Sequence, residues 1–137
     1  MTPDGLGFAH VQVVQIRIAR PTNRFDDVVA FYRDGLGLPV LERFEGHDGY
    51  DGVMLGLPEQ AYHLELTRYR GRGPCPAPDK DSLMVLYIPD PQGLRRLRNR
   101  LEVLGYSPVE PVNPYWAGRS VTYEDPDGWR VVLCASA

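Results

Sequence analysis

The stretch YHLEL, residues 62–66, is answered late in the chain by WRVVL, residues 129–133, at an offset of 67 residues. Both read as β-strands. Because side chains alternate faces along a strand, Leu64 and Leu66 in the first copy, and Val131 and Leu133 in the second, share one apolar parity. His63 and Glu65, then Arg130 and Val132, occupy the other.

Working outward from these strands gives two halves with one order. The first reads as a strand over 11–19 (VQVVQIRIA), a helix over 24–34 (RFDDVVAFYRD), and strands over 39–45, 50–56 and 62–69. Asn23 is the expected N-cap, with Asp26 three residues on, and Gly35 and Gly37 follow the helix as stop signals. GRGPCPAPDK, residues 71–80, is a proline- and glycine-marked connector. The second half reads as a strand over 82–88, a helix over 91–104 opened by Asp90 and Pro91, and strands near 107–112, 118–124 and 129–134. Leu94, Leu97, Leu101 and Leu104 fall at helical spacing and form that helix's apolar face. Each helix ends in Leu-Gly, at 36–37 and 104–105. The chain is therefore expected to be an α+β fold of two βαβββ modules, 11–70 and 81–137, joined by the 71–80 linker.

Strand parity assigns the faces. Val14, Ile16, Ile18, Leu64, Leu66, Met84, Leu86, Ile88, Val131 and Leu133 are expected to pack under the helices. The opposite parity carries Gln15, Arg17, His63, Glu65, Leu83, Val85, Tyr87, Arg130, Val132 and Cys134. A second face with a few polar groups among apolar ones suits a ligand cup, and a solvated face would not spend Leu83, Val85 and Val132 there.

Composition narrows the functions. The 137 residues are 43% hydrophobic and 24% charged, with a net charge of −3. That balance argues against nucleic-acid or anionic-membrane partners, and no run approaches the ~18 apolar residues of a membrane span. MTPDGLGFAH, residues 1–10, lacks the features of a secretion signal, so a cytoplasmic location with Cys75 and Cys134 as reduced thiols is expected. RRLRNR (95–100) surrounds the leucine stripe of the second helix and reads as a solvated face. HDGYDG (47–52) reads as a hairpin turn, although His47, Asp48 and Asp51 are potential ligands in isolation.

Paired βαβββ modules, with AFYRDGLGL (30–38) after the first helix and YEDPDGWRVVL (123–133) near the end, resemble the vicinal oxygen chelate superfamily. The resemblance spans about residues 11–135. It implies a glyoxalase-like open cup with the helices packed on its outer face. ARPTN, HDGYDGVMLG, YHLEL, NPYW and EDPDGW together resemble an uncharacterised glyoxalase/bleomycin-resistance-like subgroup. In the superfamily's metal enzymes, the first and last strand of each module supply a ligand. By resemblance these positions fall on Gln15, Glu65, Leu83 and Val132, and the last two have no lone pair to donate. The standard metal site is thus expected to be missing, with Gln15, His63 and Glu65 as the only set for a divalent metal if one is held.

Four readings of His63 and Glu65 follow. They form a polar network with Arg17 in the cup; they ligate a metal with Gln15 in a lyase, isomerase or dioxygenase; His63 is a general base oriented by Glu65; or both are simply exposed to solvent. The favoured expectation is a sequestering or resistance protein that binds a small organic molecule without a cofactor. Gln15, Arg17, His63, Glu65, Tyr87, Tyr115, Trp116 and Arg130 are its expected ligand-binding residues. Arg17 and Arg130 point to an anionic ligand, and the aromatic side chains to an apolar body. A homodimer is expected by resemblance.

Overall fold

A computed structural model describes residues 11–136 of the chain. The N-terminal stretch read above as unlike a secretion signal, and Ala137 at the end of the expected second module, lie outside the described residues. The first module comprises β1 (Ile16–Pro21), α1 (Phe25–Ala30), β2 (Val40–His47), β3 (Tyr50–Leu55) and β4 (Tyr62–Tyr69). The second comprises β5 (Leu83–Tyr87), α2 (Pro91–Val103), β6 (Ser120–Glu124) and β7 (Arg130–Cys134). Its sheet has three strands, because the strand expected near 107–112 is reduced to a single bridge between Val109 and Thr122.

The strand orders are β1-β4-β3-β2 and β5-β7-β6. The first and last strands of each module run parallel, with Arg17 beside His63 and Leu83 beside Arg130. The β2–β3 hairpin closes on Asp48-Gly49, whose φ angles of 51° and 87° are those of a tight two-residue turn. Asp51 serves that hairpin: it accepts from the Gly46 N–H at 2.9 Å and from Arg68 Nη2 at 2.8 Å.

The helices differ in how they end. α1 begins without the Asn23 cap: Thr22 Oγ1 instead accepts from the Arg24 N–H at 3.0 Å, and Asn23 is exposed. It finishes in a wide turn, Phe31–Gly35, with the Leu36 N–H reaching Phe31 O at 3.0 Å. α2 has the expected Asp90 cap, accepting from the Gln92 N–H at 3.0 Å. It closes on Gly105 (φ 93°), with Tyr106 N–H to Leu101 O and Gly105 N–H to Glu102 O, both 2.9 Å.

One hydrophobic core joins the helix-facing sides of both sheets. Val28, Phe31 and Tyr32 of the α1 segment meet Leu55 and Leu66 of the first sheet, Leu101 of α2, and Val131 and Leu133 of the second. The helices meet closely: a Cβ on Gly35 would lie 2.9 Å from Leu101 Cδ2. Arg100 donates to the carbonyls of Asp34 and Gly35 at 2.8 and 3.3 Å, satisfying acceptors left over at the end of the first helical segment.

The EDPDGW motif ties the modules together. Asp125 Oδ1 accepts from the Asp127 and Trp129 N–H groups at 2.9 and 3.0 Å, which shapes the turn. Its Oδ2 accepts from Arg20 Nη2 at 2.5 Å and from the Tyr32 hydroxyl at 2.8 Å, both from the first module. Arg20 also lies over the Trp129 ring at 4.5 Å. Burial, then the Asp125 charge, push the Tyr32 phenol well above its ordinary pKa, so it stays a donor.

The apolar parity of β1 is corrected by the structure. Val14, Ile16 and Ile18 are 74%, 42% and 63% exposed rather than buried under a helix. β1 is an edge strand, and α1 packs over β4 instead. Alternation gave the face correctly, but which strands a helix covers depends on the path of the PTN turn.

Candidate functional site

The face of the first sheet opposite the helices is built by register. On it, Arg17 lies beside His63, and Ala19 beside Glu65; across β3, Met54 lies opposite Glu65, Gly52 opposite Thr67, and Tyr50 opposite Tyr69. β2 adds Glu42 opposite Met54 and Phe44 opposite Gly52. A Cβ on Gly52 would come 2.3 Å from the Phe44 ring, so the glycine lets the aromatic lie across the strand. The Tyr50 and Tyr69 rings pack 4.6 Å apart, and Phe44 meets His47 at 6.2 Å. This apolar side, made of Phe44, Met54, Tyr50 and Tyr69, was missed in the sequence. The available signal was parity along YDGVML, which places Tyr50, Gly52 and Met54 together.

His63 is the best-defined polar group on this face. Gln15 Nε2 lies 2.6 Å from His63 Nδ1. With the amide nitrogen donating, Nδ1 accepts and the ring proton sits on Nε2. Nε2 is buried and, among the described residues, has no hydrogen-bond partner. Gly56 makes room for the ring, since a Cβ there would be 2.7 Å from His63 Cδ2.

The remaining predicted residues are distributed differently than expected. Glu65 is half-buried beside Ala19 and Met54, and among the described residues no hydrogen bond or ion pair joins it to His63 or Arg17. Arg17 is exposed. Arg130 is buried and committed to its own module, donating to Glu124 Oε2 at 2.9 Å and to Glu110 O at 2.8 Å. The expected network of His63, Glu65 and Arg17 does not form among the described residues, and Arg130 is engaged within its module rather than offered to a ligand. Tyr87 lies at the exposed end of β5 beside Cys134. Tyr115 and Trp116 meet edge-to-face at 4.9 Å in a short helical turn, Pro114–Trp116, with Arg119 4.1 Å over Tyr115. Cys75 and Cys134 are free thiols.

The superfamily's metal does not fit these residues. Gln15 and His63 engage each other at hydrogen-bond distance, whereas Glu65 is level with Ala19, four residues from Gln15, a backbone separation of roughly 13 Å at ~3.3 Å per residue. Leu83 and Val132 offer no lone pair. Among the described residues, no group of three His, Cys, Asp or Glu side chains is placed to hold a metal. His47, Asp48 and Asp51 likewise form a turn, with Asp51 spent on Gly46 and Arg68. No described helix is long and apolar enough to cross a membrane.

Comparison with known proteins adds a lineage. Residues 16–67 match the YycE-like N-terminal domain, and residues 81–135 the YycE-like C-terminal domain. The uncharacterized protein YycE of Bacillus subtilis is 48% identical over 132 residues, covering 96% of this chain and 95% of that protein. The crystal structure of a B. subtilis YycE protein of unknown function, described as a candidate glyoxalase/fosfomycin resistance protein, superposes with a TM-score of 0.85 at 49% identity, covering 92% of each chain. At the level of fold alone, the trypanothione-dependent glyoxalase I of Leishmania major gives 0.67 at 19% identity, covering 90% of this chain and 86% of that one. TnmS3, an antibiotic binding protein from Streptomyces sp. CB03234, gives 0.65 at 21%, covering 93% and 98%. The architecture is thus the glyoxalase/bleomycin-resistance fold of the vicinal oxygen chelate superfamily.

Proposed function

The chain belongs to the YycE-like family, and from that premise we propose that it binds a small organic anion with an apolar body on the open face of its first sheet, as a cytoplasmic sequestering or resistance protein. The observation that carries this reading is His63 Nε2, a buried ring nitrogen with no partner among the described residues. Leaving such a group unsatisfied costs about 1–3 kcal/mol, and an acceptor oxygen on a ligand relieves that cost. Arg17, beside His63 in register, supplies positive charge without a protein counter-ion among the described residues. Phe44, Met54, Tyr50 and Tyr69 offer the apolar wall. The names of two comparison proteins, an antibiotic binding protein and a candidate fosfomycin resistance protein, agree in kind with a binder of small molecules.

A homodimer belongs to the same reading. The two inner faces point away from the shared core, so a single chain offers an open sheet rather than an enclosed pocket. A second copy is the proposed cover, enclosing the bound molecule as small-ligand sites generally do.

The test is a thermal-shift panel of 1-naphthoate, fosfomycin and a quaternary aromatic amine, with light scattering for oligomeric state. The acidic compounds should raise Tm, by an amount equivalent to about 2.7 kcal/mol at 100 times Kd. Arg17→Ala and His63→Ala should abolish the response. A response to the amine alone, or one unchanged in both variants, overturns the proposal; a monomer at micromolar concentration overturns the shared cup.

A further inference from the structure

We propose a second binding site, for a small phosphate monoester, in the cavity between α2 and β6 on the helix side of the second sheet. The cavity measures about 380 Å³, within the ~300–1,000 Å³ range of small-molecule pockets. Arg95, Arg98, Asn99 and Glu102 line it from α2, Tyr106 from just beyond the helix end, and Tyr123 from β6. Tyr123 pairs with Val131 and so faces the helices. The site therefore lies on the helix side of the second sheet, apart from the proposed binding face of the first, and shares no residue with it.

The cavity's polar lining is available to a ligand, with Arg95, Arg98 and Asn99 exposed. Among the described residues, neither arginine has a carboxylate within ion-pairing distance, although Glu102 is four residues beyond Arg98. That order, cation before anion along the helix, is the weaker one for such a pair. Asn99 and the two phenols likewise have no hydrogen-bond partner among the described residues, and Tyr123 is otherwise buried, with 2% of its surface exposed. Burial, helped by the carboxylates of Asp27 and Asp125, raises the Tyr106 pKa, so its hydroxyl remains a donor at neutral pH. Two guanidiniums, an amide and two phenols against one carboxylate make a donor-rich lining with net positive charge. Guanidiniums bind phosphate oxygens through paired, charge-assisted hydrogen bonds, and the tyrosine rings suit the organic part of an ester.

Titration calorimetry in low-salt chloride buffer tests this with two probes, inorganic phosphate and phenyl phosphate. Phenyl phosphate should bind with the higher affinity, and the Arg95→Ala/Arg98→Ala double variant should weaken it by at least about tenfold. Tyr123→Phe should weaken it by a smaller factor while leaving the fold intact. Phenyl phosphate also suits the cup, so the titrations are made in the Arg17→Ala/His63→Ala background, where binding that depends on Arg95 and Arg98 should persist. Retained affinity in the double arginine variant, loss of binding in the cup-variant background, or no heat at 10 mM phenyl phosphate, about ten times a millimolar Kd, would each overturn the proposal.

Discussion

The two modules share one strand order, with one strand fewer in the second, and use their inner faces in opposite ways. In the first, Glu65 is half-buried, Arg17 is exposed, and His63 keeps a ring nitrogen without a partner among the described residues. In the second, the matching residues are closed in: Val132 stands at the Glu65 position and is fully buried, and Arg130 stands at the His63 position and is held by Glu124 and Glu110. Val132 is nonetheless outside the helix-side core, so the second module is buried on both faces of β7. One copy thus closes its inner face while the other leaves polar groups exposed on it. The clasp shows the same asymmetry. Asp125, which joins Arg20 to Tyr32, corresponds at the 67-residue offset to Pro58, which is exposed and makes no such tie.

Exchanging the residues at the paired positions gives the largest expected effect. Val132→Glu places a carboxylate in a fully buried site, which costs several kcal/mol against a total stability of about 5–15 kcal/mol, so the variant should lose its cooperative urea transition. The reciprocal Glu65→Val should keep stability within about 1 kcal/mol, because it removes a half-buried carboxylate without an ion-pair partner. Equal behaviour of the two variants would mean that the inner faces are alike. Next, Asp125→Ala strands the buried Arg20 charge and should cost about 3–5 kcal/mol by chemical denaturation. Asp127, 3.9 Å from Arg20, brings the expected value to the lower end. A loss below 1 kcal/mol would remove the clasp from the account.

Two smaller effects probe the first module. Gly35→Ala pushes a methyl group against Leu101, which is fully buried, and overpacking of this kind costs about 1–3 kcal/mol, read as a lowered Tm. Asp51 has its pKa lowered by the Gly46 N–H first and by Arg68 second. A carboxyl depressed in the fold contributes stability above its unfolded pKa, about 3.9, and that contribution disappears as pH falls through the lower folded value. The difference in Tm between wild type and Asp51→Asn should therefore be present at neutral pH and shrink in acid. A constant difference would mean that Asp51 acts through shape rather than charge.

Much of the architecture was legible because it rests on local rules. Asp90, Pro91 and Gly105 bracket α2 through caps that need only the neighbouring backbone, and Asp48-Gly49 closes its hairpin for the same reason. The α1 start was less legible, since Asn23 is exposed and the N-cap position falls on Arg24 without a side-chain cap, Thr22 Oγ1 accepting from the Arg24 N–H just before the helix. The site was legible in part. Parity placed Gln15, His63 and Glu65 on one face, yet it did not reveal that Gln15 engages His63 or that Arg17 stays apart from Glu65. Those pairings depend on the lateral stagger of β1 against β4, about 3.3 Å per residue, which composition along one strand does not encode.

The sequence by itself determined the repeated element order, apart from the strand expected near 107–112, and the parity of the strands that form, because periods of 2 and 3.6 residues and the chemistry of turns are properties of the backbone. Only the tertiary structure decided that β1 lies uncovered at an edge, that Arg20 rather than Arg17 is buried against a carboxylate, and that one inner face is closed while the other is open. The physical reason is that burial is a relation between elements. Alternation fixes which way a side chain points, and packing fixes what it meets there.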